Sequence, residues 1–175
     1  MDSETVRPAT KEDLPALLDI YNDVIATSTA VHALAPTTLT ERTNWFDART
    51  SAGYPVLVAM GNDDVIGFAT FGEFRGTWPG YRYSVEHTVH VRRDQRGMGV
   101  GSRLMHALFP IAAGMNRHVM IGAVDAENAS SRRFHARLGF DPVAHFREVG
   151  HKFGRWLDLI SVQCFLDPPG AALPD

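Results

Sequence analysis

The chain has 175 residues, 45% hydrophobic and 21% charged, the balance of one folded domain with a sizeable core. Its net charge of −3 excludes a globally basic binder of nucleic acid or membrane, so any attraction for an anion must come from local clustering. A single cysteine, Cys164, excludes an intrachain disulfide.

Thr10 and Asp13 predict a capping box for a first helix, whose Leu14, Leu17, Leu18 and Tyr21 recur at helical spacing. A second helix is predicted over 39–52 with Trp45 and Phe46 inward. The period then shortens to that of strands at 55–60 and 65–74 around a turn at Gly61 to Asp64. A third strand over 83–91 places Tyr83, Val85, His87, Val89 and Val91 on one face and Ser84, Glu86, Thr88 and His90 on the other. Next comes a glycine-rich turn, then an amphipathic helix carrying Val100, Leu104, Leu108, Ile111 and Met115. Pro110, inside it, predicts a kink or an early end. A short strand over 119–124, a helix over 128–138 closed by Gly139, and strands over 142–149 and 155–166 complete the pattern. Cys164 falls in the last, alternating run and reads as a buried strand residue rather than a nucleophile. The order αα, βββ, α, β, α, ββ predicts a single mixed α/β domain over 1–167, with a Pro- and Gly-rich tail over 168–175 expected to be disordered. No run approaches the ~20 apolar residues that cross a bilayer, and Met1 to Thr5 shows no basic-then-apolar leader, so a cytoplasmic protein is expected.

The most informative segment runs from Val89 to Ser102, through Gln95-Arg96-Gly97-Met98-Gly99-Val100-Gly101. Glycines let successive N–H groups face one concavity, and the helix start adds partial positive charge, which suits a pyrophosphate. Between positions 92 and 103, Arg92, Arg93, Arg96 and Arg103 against Asp94 give a local charge of +3. The Gly-Lys-Ser/Thr of a phosphate-binding loop is missing, and the spacing is not that of a dinucleotide fingerprint. On these residues alone, a tight strand-to-helix turn without a ligand is as good a reading.

Gln-Arg-Gly-x-Gly-x-Gly resembles the coenzyme A pyrophosphate loop of the GNAT superfamily of N-acetyltransferases. Asn128-Ala129-Ser130-Ser131, His135 and Leu138-Gly139-Phe140 resemble its second coenzyme A segment. Further motifs are similar to the phosphinothricin and methionine sulfoximine acetyltransferase branch: Trp45-Phe46, Gly53-Tyr54-Pro55, Val85-Glu86-His87-Thr88-Val89 and Lys152-Phe153-Gly154-Arg155-Trp156-Leu157-Asp158. The likeness spans about residues 5–167. It implies a mostly antiparallel, twisted central sheet flanked by about four helices, acetyl-CoA as co-substrate without a metal, and a homodimer acting on a small amine.

The resemblance assigns roles residue by residue. Arg96, Gly97, Met98, Gly99, Val100, Gly101 and Ser102 would hold the pyrophosphate. The main chain of Val89, His90 and Val91 would hold the acetyl-pantetheine arm, with Asn128 and Ser131 beside it. Glu86 would be the base; a mid-strand carboxylate next to Val85 and His87 is expected to be sheltered from solvent with a raised pKa. A structural carboxylate paired with a cation is the other reading of Glu86. His135 stands where many members place a tyrosine to protonate the departing sulfur. Hydrogen bonding to coenzyme A and plain packing are equally open to it. Arg75, Gly76, Glu86, His87 and Thr88 would surround the acceptor, with Lys152 and Phe153 bordering it, from the same subunit or from the second subunit of the implied dimer. Arg75 also reads as an exposed loop arginine. His32-Ala33-Leu34-Ala35-Pro36 departs from the branch's Trp-Asn-Glu-Thr-Pro, which implies a wider, less polar acceptor pocket. A peptide N-acetyltransferase and a non-catalytic acetyl-CoA-binding module are the competing readings.

Overall fold

A computed structural model describes residues 5–76 and 78–167, so the tail expected over 168–175 lies outside the described residues. Strand β1 (Thr5–Pro8) opens the chain, and it was not expected from the sequence. Four residues are too few to show a period; β1 is a strand because it pairs antiparallel with β2 (Val56–Gly61), from Thr5↔Met60 to Pro8↔Leu57. A 3-10 turn at Lys11–Asp13 leads into helix α1 (Leu14–Thr27). Asp13 accepts from the Thr10 backbone N–H at 2.8 Å and takes both guanidinium nitrogens of Arg7, each at 2.8 Å. Helix α2 (Leu39–Ser51) carries a reciprocal box: Glu41 N–H donates to Thr38 Oγ1 (3.2 Å) and Thr38 N–H to the Glu41 carboxylate (2.7 Å). Its inward residues are Phe46 and, unexpectedly, Arg42.

β2 turns into β3 (Asp64–Glu73) through Asn62 and Asp63, both with left-handed φ, the geometry that matches strand twist in a two-residue hairpin. Phe74 N–H donates to Ser84 O, and Arg92 N–H to Ile66 O, which ties β3 antiparallel to β4 (Ser84–Val91). Helix α3 (Val100–Gly114) follows, then β5 (Val119–Asp125), α4 (Ala129–Arg137), β6 (Asp141–Lys152) and β7 (Arg155–Phe165). The hydrogen-bonded strand order is β1-β2-β3-β4-β5-β7-β6. The expected end or kink at Pro110 does not shorten α3, which runs on to Gly114. Pro110 is solvent-facing, and Leu104, Leu108 and Ala112 are fully buried on both sides of it, so packing offsets the lost donor.

The fold divides into two compact units: residues up to Phe71 with Thr88–Leu108, and Gly72–His87 with the residues from Phe109 on. In the first, Leu14, Leu17, Ile20, Phe46, Val58 and Phe68 form a core against β2 and β3. Gly67 lets α3 approach β3, since a Cβ there would meet His90 O at 3.0 Å and the side chains of Val100 and Leu104 at 3.3 Å. In the second, β7 pairs antiparallel with β5 and β6, and Met120, Val124, Phe140, Leu157 and Val162 are buried. Cys164 is buried in β7, which pushes its thiol up to about 11 and leaves no nucleophile at neutral pH.

Candidate active site

Strand β4 carries the residues on which chemistry would turn, and its burial switches sides midway. Val85 and His87 are buried on one face, whereas His90 is buried on the other. Glu86 lies between the first two and points the opposite way, into solvent. The shelter expected for this carboxylate is therefore absent: alternation turns it away from the core that covers Val85 and His87. Parallel pairing of β4 with β5 covers only Ser84↔Val119 to Glu86↔Ile121. Both strands run on from there, to Val91 and Asp125, without further pairing to each other among the described residues.

In the second unit His87 meets His135, their Nε2 atoms 3.2 Å apart and both rings buried. The tautomers follow from the neighbours. His135 Nδ1 lies 2.7 Å from the Ser131 carbonyl, which can only accept, so Nδ1 carries the proton. Burial pulls the His135 pKa down, against a smaller opposing effect of that carbonyl, so the ring is neutral and its Nε2 accepts. His87 Nε2 then donates. Phe140 packs on both rings at 5.2 and 5.3 Å between centroids. Gly122, which the sequence reading passed over, makes the room: a Cβ there would stand 2.6 Å from His87 Nε2. Its signal was a lone glycine inside a strand pattern. Asn128 caps α4, its Oδ1 accepting from Ser131 N–H (3.0 Å) and the Ser130 hydroxyl (2.9 Å). Asn128 and Ser131 thus support the turn that holds His135.

The glycine turn belongs to the first unit. Gly97 and Gly99 have φ of +81° and +82°, and Arg96, Gly97, Met98 and Gly99 are exposed. Only glycine adopts this pair of conformations without strain, and the N–H groups of Val100, Gly101 and Ser102, in the first turn of α3, have no acceptor within the helix. The donor set fits a pyrophosphate. The expected charge of the stretch is partly neutralised: Arg92 pairs with Asp94 (2.8 Å), Arg93 with Asp23 of α1, and Arg96 reaches Asp23 at 3.7 Å. Arg96 Nε also donates to Val91 O at 3.0 Å, fixing the strand end to the turn. The His90 ring sits between Tyr21 and Phe68, centroids 5.7 and 5.4 Å away. Burial, then the charges of Arg42 and Arg96, pushes it down to about 4, so His90 is neutral at pH 7 and contributes only its main chain.

A cavity of about 350 Å³ opens in the same unit, lined by Tyr21, Ala33, Ala35, Arg42, Trp45 and Thr88, among others. Of the residues expected around the acceptor, Thr88 is in this lining. Arg75, Gly76, Glu86, His87, Lys152 and Phe153 belong to the second unit. Arg75 is exposed with a left-handed φ of +53°, its guanidinium 5.6 Å from the Phe74 ring and 5.9 Å from Tyr81. Gly76 abuts the Glu73 carboxylate, which a Cβ would meet at 2.4 Å. Lys152 is buried, which lowers its pKa, with its ammonium 5.0 Å from the ring of the exposed Phe153. Arg42 was missed by the sequence reading, although its position three and four residues before Trp45 and Phe46 puts it on the buried face of α2.

A left-handed glycine turn at the start of α3 that fits a pyrophosphate, with a cavity of about 350 Å³ in the same unit, suits a transferase that draws on a phosphate-bearing acyl donor. The chain belongs to the acetyltransferase (GNAT) family, whose model matches residues 17–140. It is 45% identical over 171 residues to an L-methionine sulfoximine/L-methionine sulfone acetyltransferase of Pseudomonas paraeruginosa, covering 97% of this chain and 99% of that one. It is 37% identical to a phosphinothricin N-acetyltransferase of Streptomyces coelicolor, covering 88% and 91%. The crystal structure of a GNAT superfamily phosphinothricin acetyltransferase from Sinorhizobium meliloti, in complex with acetyl-CoA, superposes with a TM-score of 0.93 at 30% identity, covering 98% and 93%. Among the described residues, no helix is long and apolar enough to cross a membrane.

Proposed function

We propose that the protein moves the acetyl group of acetyl-CoA to the primary amine of a small amino-acid-like acceptor, of the methionine sulfoximine, methionine sulfone or phosphinothricin kind, by direct transfer in a ternary complex. The observation that carries this reading is the left-handed Gly97–Gly99 turn at the head of α3, in a chain with acetyltransferase relatives along nearly its whole length. When bound, acetyl-CoA supplies an activated thioester. Main-chain N–H groups from Gly97 to Ser102 hold its pyrophosphate. The main chain of Val89, His90 and Val91 holds the acetyl-pantetheine arm, and one N–H there polarises the thioester carbonyl. An acceptor amine is mostly protonated at neutral pH and must lose a proton before attack. Glu86 takes that proton, directly or through a water, its exposed carboxylate being open to both routes.

In this reading His135 positions His87. Its Nδ1 proton is held by the Ser131 carbonyl and its Nε2 accepts from His87. A neutral ring in that tautomer has no Nε2 proton to give, so as the C–N bond forms and the C–S bond breaks, coenzyme A leaves as a thiolate that takes its proton from solvent. Arg75 offers its planar fork to the acceptor's carboxylate, and Lys152 and Phe153 border the acceptor site. A homodimer is part of the proposal, supported by the exposed Val143, Phe146, Val149 and Trp156 of β6 and β7. So is a cytoplasmic site of action, supported by the single cysteine.

The test is free-thiol release from acetyl-CoA over a panel of methionine sulfoximine, methionine sulfone, phosphinothricin, common amino acids and short peptides, with Glu86→Gln in parallel. Turnover on a panel amino acid that falls about 100-fold in Glu86→Gln supports the substrate class and the base. Release on peptides alone sinks the small-acceptor reading, and coenzyme A binding without release on anything leaves a binding module.

A further inference from the structure

Arg42 is one of the few charged side chains buried among the described residues, 5% exposed. Its guanidinium carbon lies 3.8 Å from the centroid of the Tyr21 ring and 4.6 Å from that of Trp45, so two aromatic faces offset part of the cost of burying it. Among the described residues, no carboxylate pairs with it. Glu41, next to it in the cavity lining, has its carboxylate turned back onto the α2 cap: it accepts from Thr38 N–H at 2.7 Å, Thr38 Oγ1 at 2.9 Å and Thr37 Oγ1 at 3.0 Å. Burial is the main influence on the Arg42 pKa, opposed by the charge of Tyr21 and by a side-chain hydrogen bond with it, and no carboxylate among the described residues takes part. Arg42 Nε is buried with no hydrogen-bond partner. A buried cation with an orphaned donor, lining a cavity of about 350 Å³, is a charge waiting for an acceptor.

Opposite chemistry lines other parts of the same cavity. Ala33 and Ala35 offer only methyl groups, and Thr88 brings in β4 two residues after Glu86. An arginine presents Nε and one terminal nitrogen as a planar pair, which matches two oxygens on a single centre.

We infer that this cavity receives the side chain of the acceptor and that Arg42 determines its specificity, through a side-on fork that selects side chains ending in oxygens over hydrocarbon or thioether ends of the same length. The inference rests on the proposed function and deepens it. It assigns to one residue of α2 the choice of a sulfone, sulfoximine, phosphinate or carboxylate terminus. A site built around a donor rejects an analogue lacking the acceptor far more strongly than an apolar pocket rejects an extra polar atom, because the donor is left unmet.

Methionine and methionine sulfone differ only by the two oxygens, so their ratio of kcat/KM reads the fork directly. The wild-type ratio favours the sulfone by about tenfold or more. Arg42→Met keeps the stem and apolar contacts, and replacing a buried charge in this way is often neutral for stability. It brings the ratio below about threefold, with kcat/KM for methionine rising as the unmet donor is removed and kcat/KM for the sulfone falling as its partner is lost. Arg42→Lys retains stem and charge without the fork and also lowers the ratio, which decides the matter if Arg42→Met fails to melt cooperatively. A sulfone preference undiminished in both folded variants overturns the inference and leaves the acetyltransferase reading intact. If no amine is turned over, it is the proposed function that fails. Calorimetric titration of methionine sulfone against methionine then still decides Arg42, with equal affinity in wild type counting against it.

Discussion

Replacing His90 with phenylalanine tests the burial of the first unit through the pH dependence of stability. The imidazole is packed between Tyr21 and Phe68, and its folded pKa is about 4 against an ordinary 6.5. The direction of linkage follows from that depression. As pH falls below 6.5 the unfolded chain takes up a proton that the folded chain refuses, so stability rises with pH between about 4 and 6.5 and is lost on acidification through that window. At 1.36 kcal/mol per pKa unit, the site makes the fold about 3 kcal/mol less stable at pH 4 and below than at pH 7, and about 2 kcal/mol of this is already lost at pH 4.5. Phenylalanine fills a similar volume and has no proton to take up. It also removes Nε2, a buried atom without a hydrogen-bond partner, so the variant should be at least as stable as wild type at pH 7. Urea unfolding at pH 7, 6, 5 and 4.5, followed by tryptophan fluorescence and circular dichroism, gives the difference between the two proteins at each pH. Common contributions from carboxylates and from His135, whose pKa is also lowered, cancel in that difference. The gap should widen by about 2 kcal/mol from pH 7 to 4.5. Parallel curves, with unchanged denaturant slopes, would refute both the burial of the ring and the cause assigned to its pKa.

Two further substitutions probe the site from its glycines. Gly122→Ala puts a methyl 2.6 Å from His87 Nε2 and 3.2 Å from the Val162 side chain; it should cost about 1–3 kcal/mol in stability and move both imidazole signals in NMR. A melting temperature and imidazole shifts equal to wild type would show that the histidine pair is not held against β5. Gly99→Ala forces a side chain into φ of +82° at the pyrophosphate turn; KM for acetyl-CoA should rise about tenfold, the equivalent of 1–2 kcal/mol of strain, with KM for the amine within about twofold. A rise in the amine KM alone would detach the turn from the cofactor.

What could be read from the sequence and what could not divide along a physical line. The helix cap at Thr10–Asp13, the hairpin at Asn62–Asp63, the left-handed Gly139 and the alternation around Cys164 are settled by residues a few positions apart, and each stands close to where the pattern put it. β1 was invisible because its identity as a strand lies in β2, some fifty residues on. The same holds for Asp23, which meets Arg93 and Arg96 from α1 and tempers a charge that looked like an open +3 patch.

Glu86 shows the limit most clearly. Alternation named its strand and its neighbours correctly, but sheltering depends on which face of a strand is covered, and in β4 that face changes between His87 and His90. One period-two pattern thus serves two cores in succession: the buried imidazole of His87 in one and that of His90 in the other. Between them, Thr88 reaches the cavity lining. A strand that presents a carboxylate to solvent, joins a histidine pair and lines a cavity within five residues cannot keep one face buried throughout. The irregularity that defeated the sequence expectation for Glu86 is therefore the same feature that buries His87 on one face of β4 and His90 on the other.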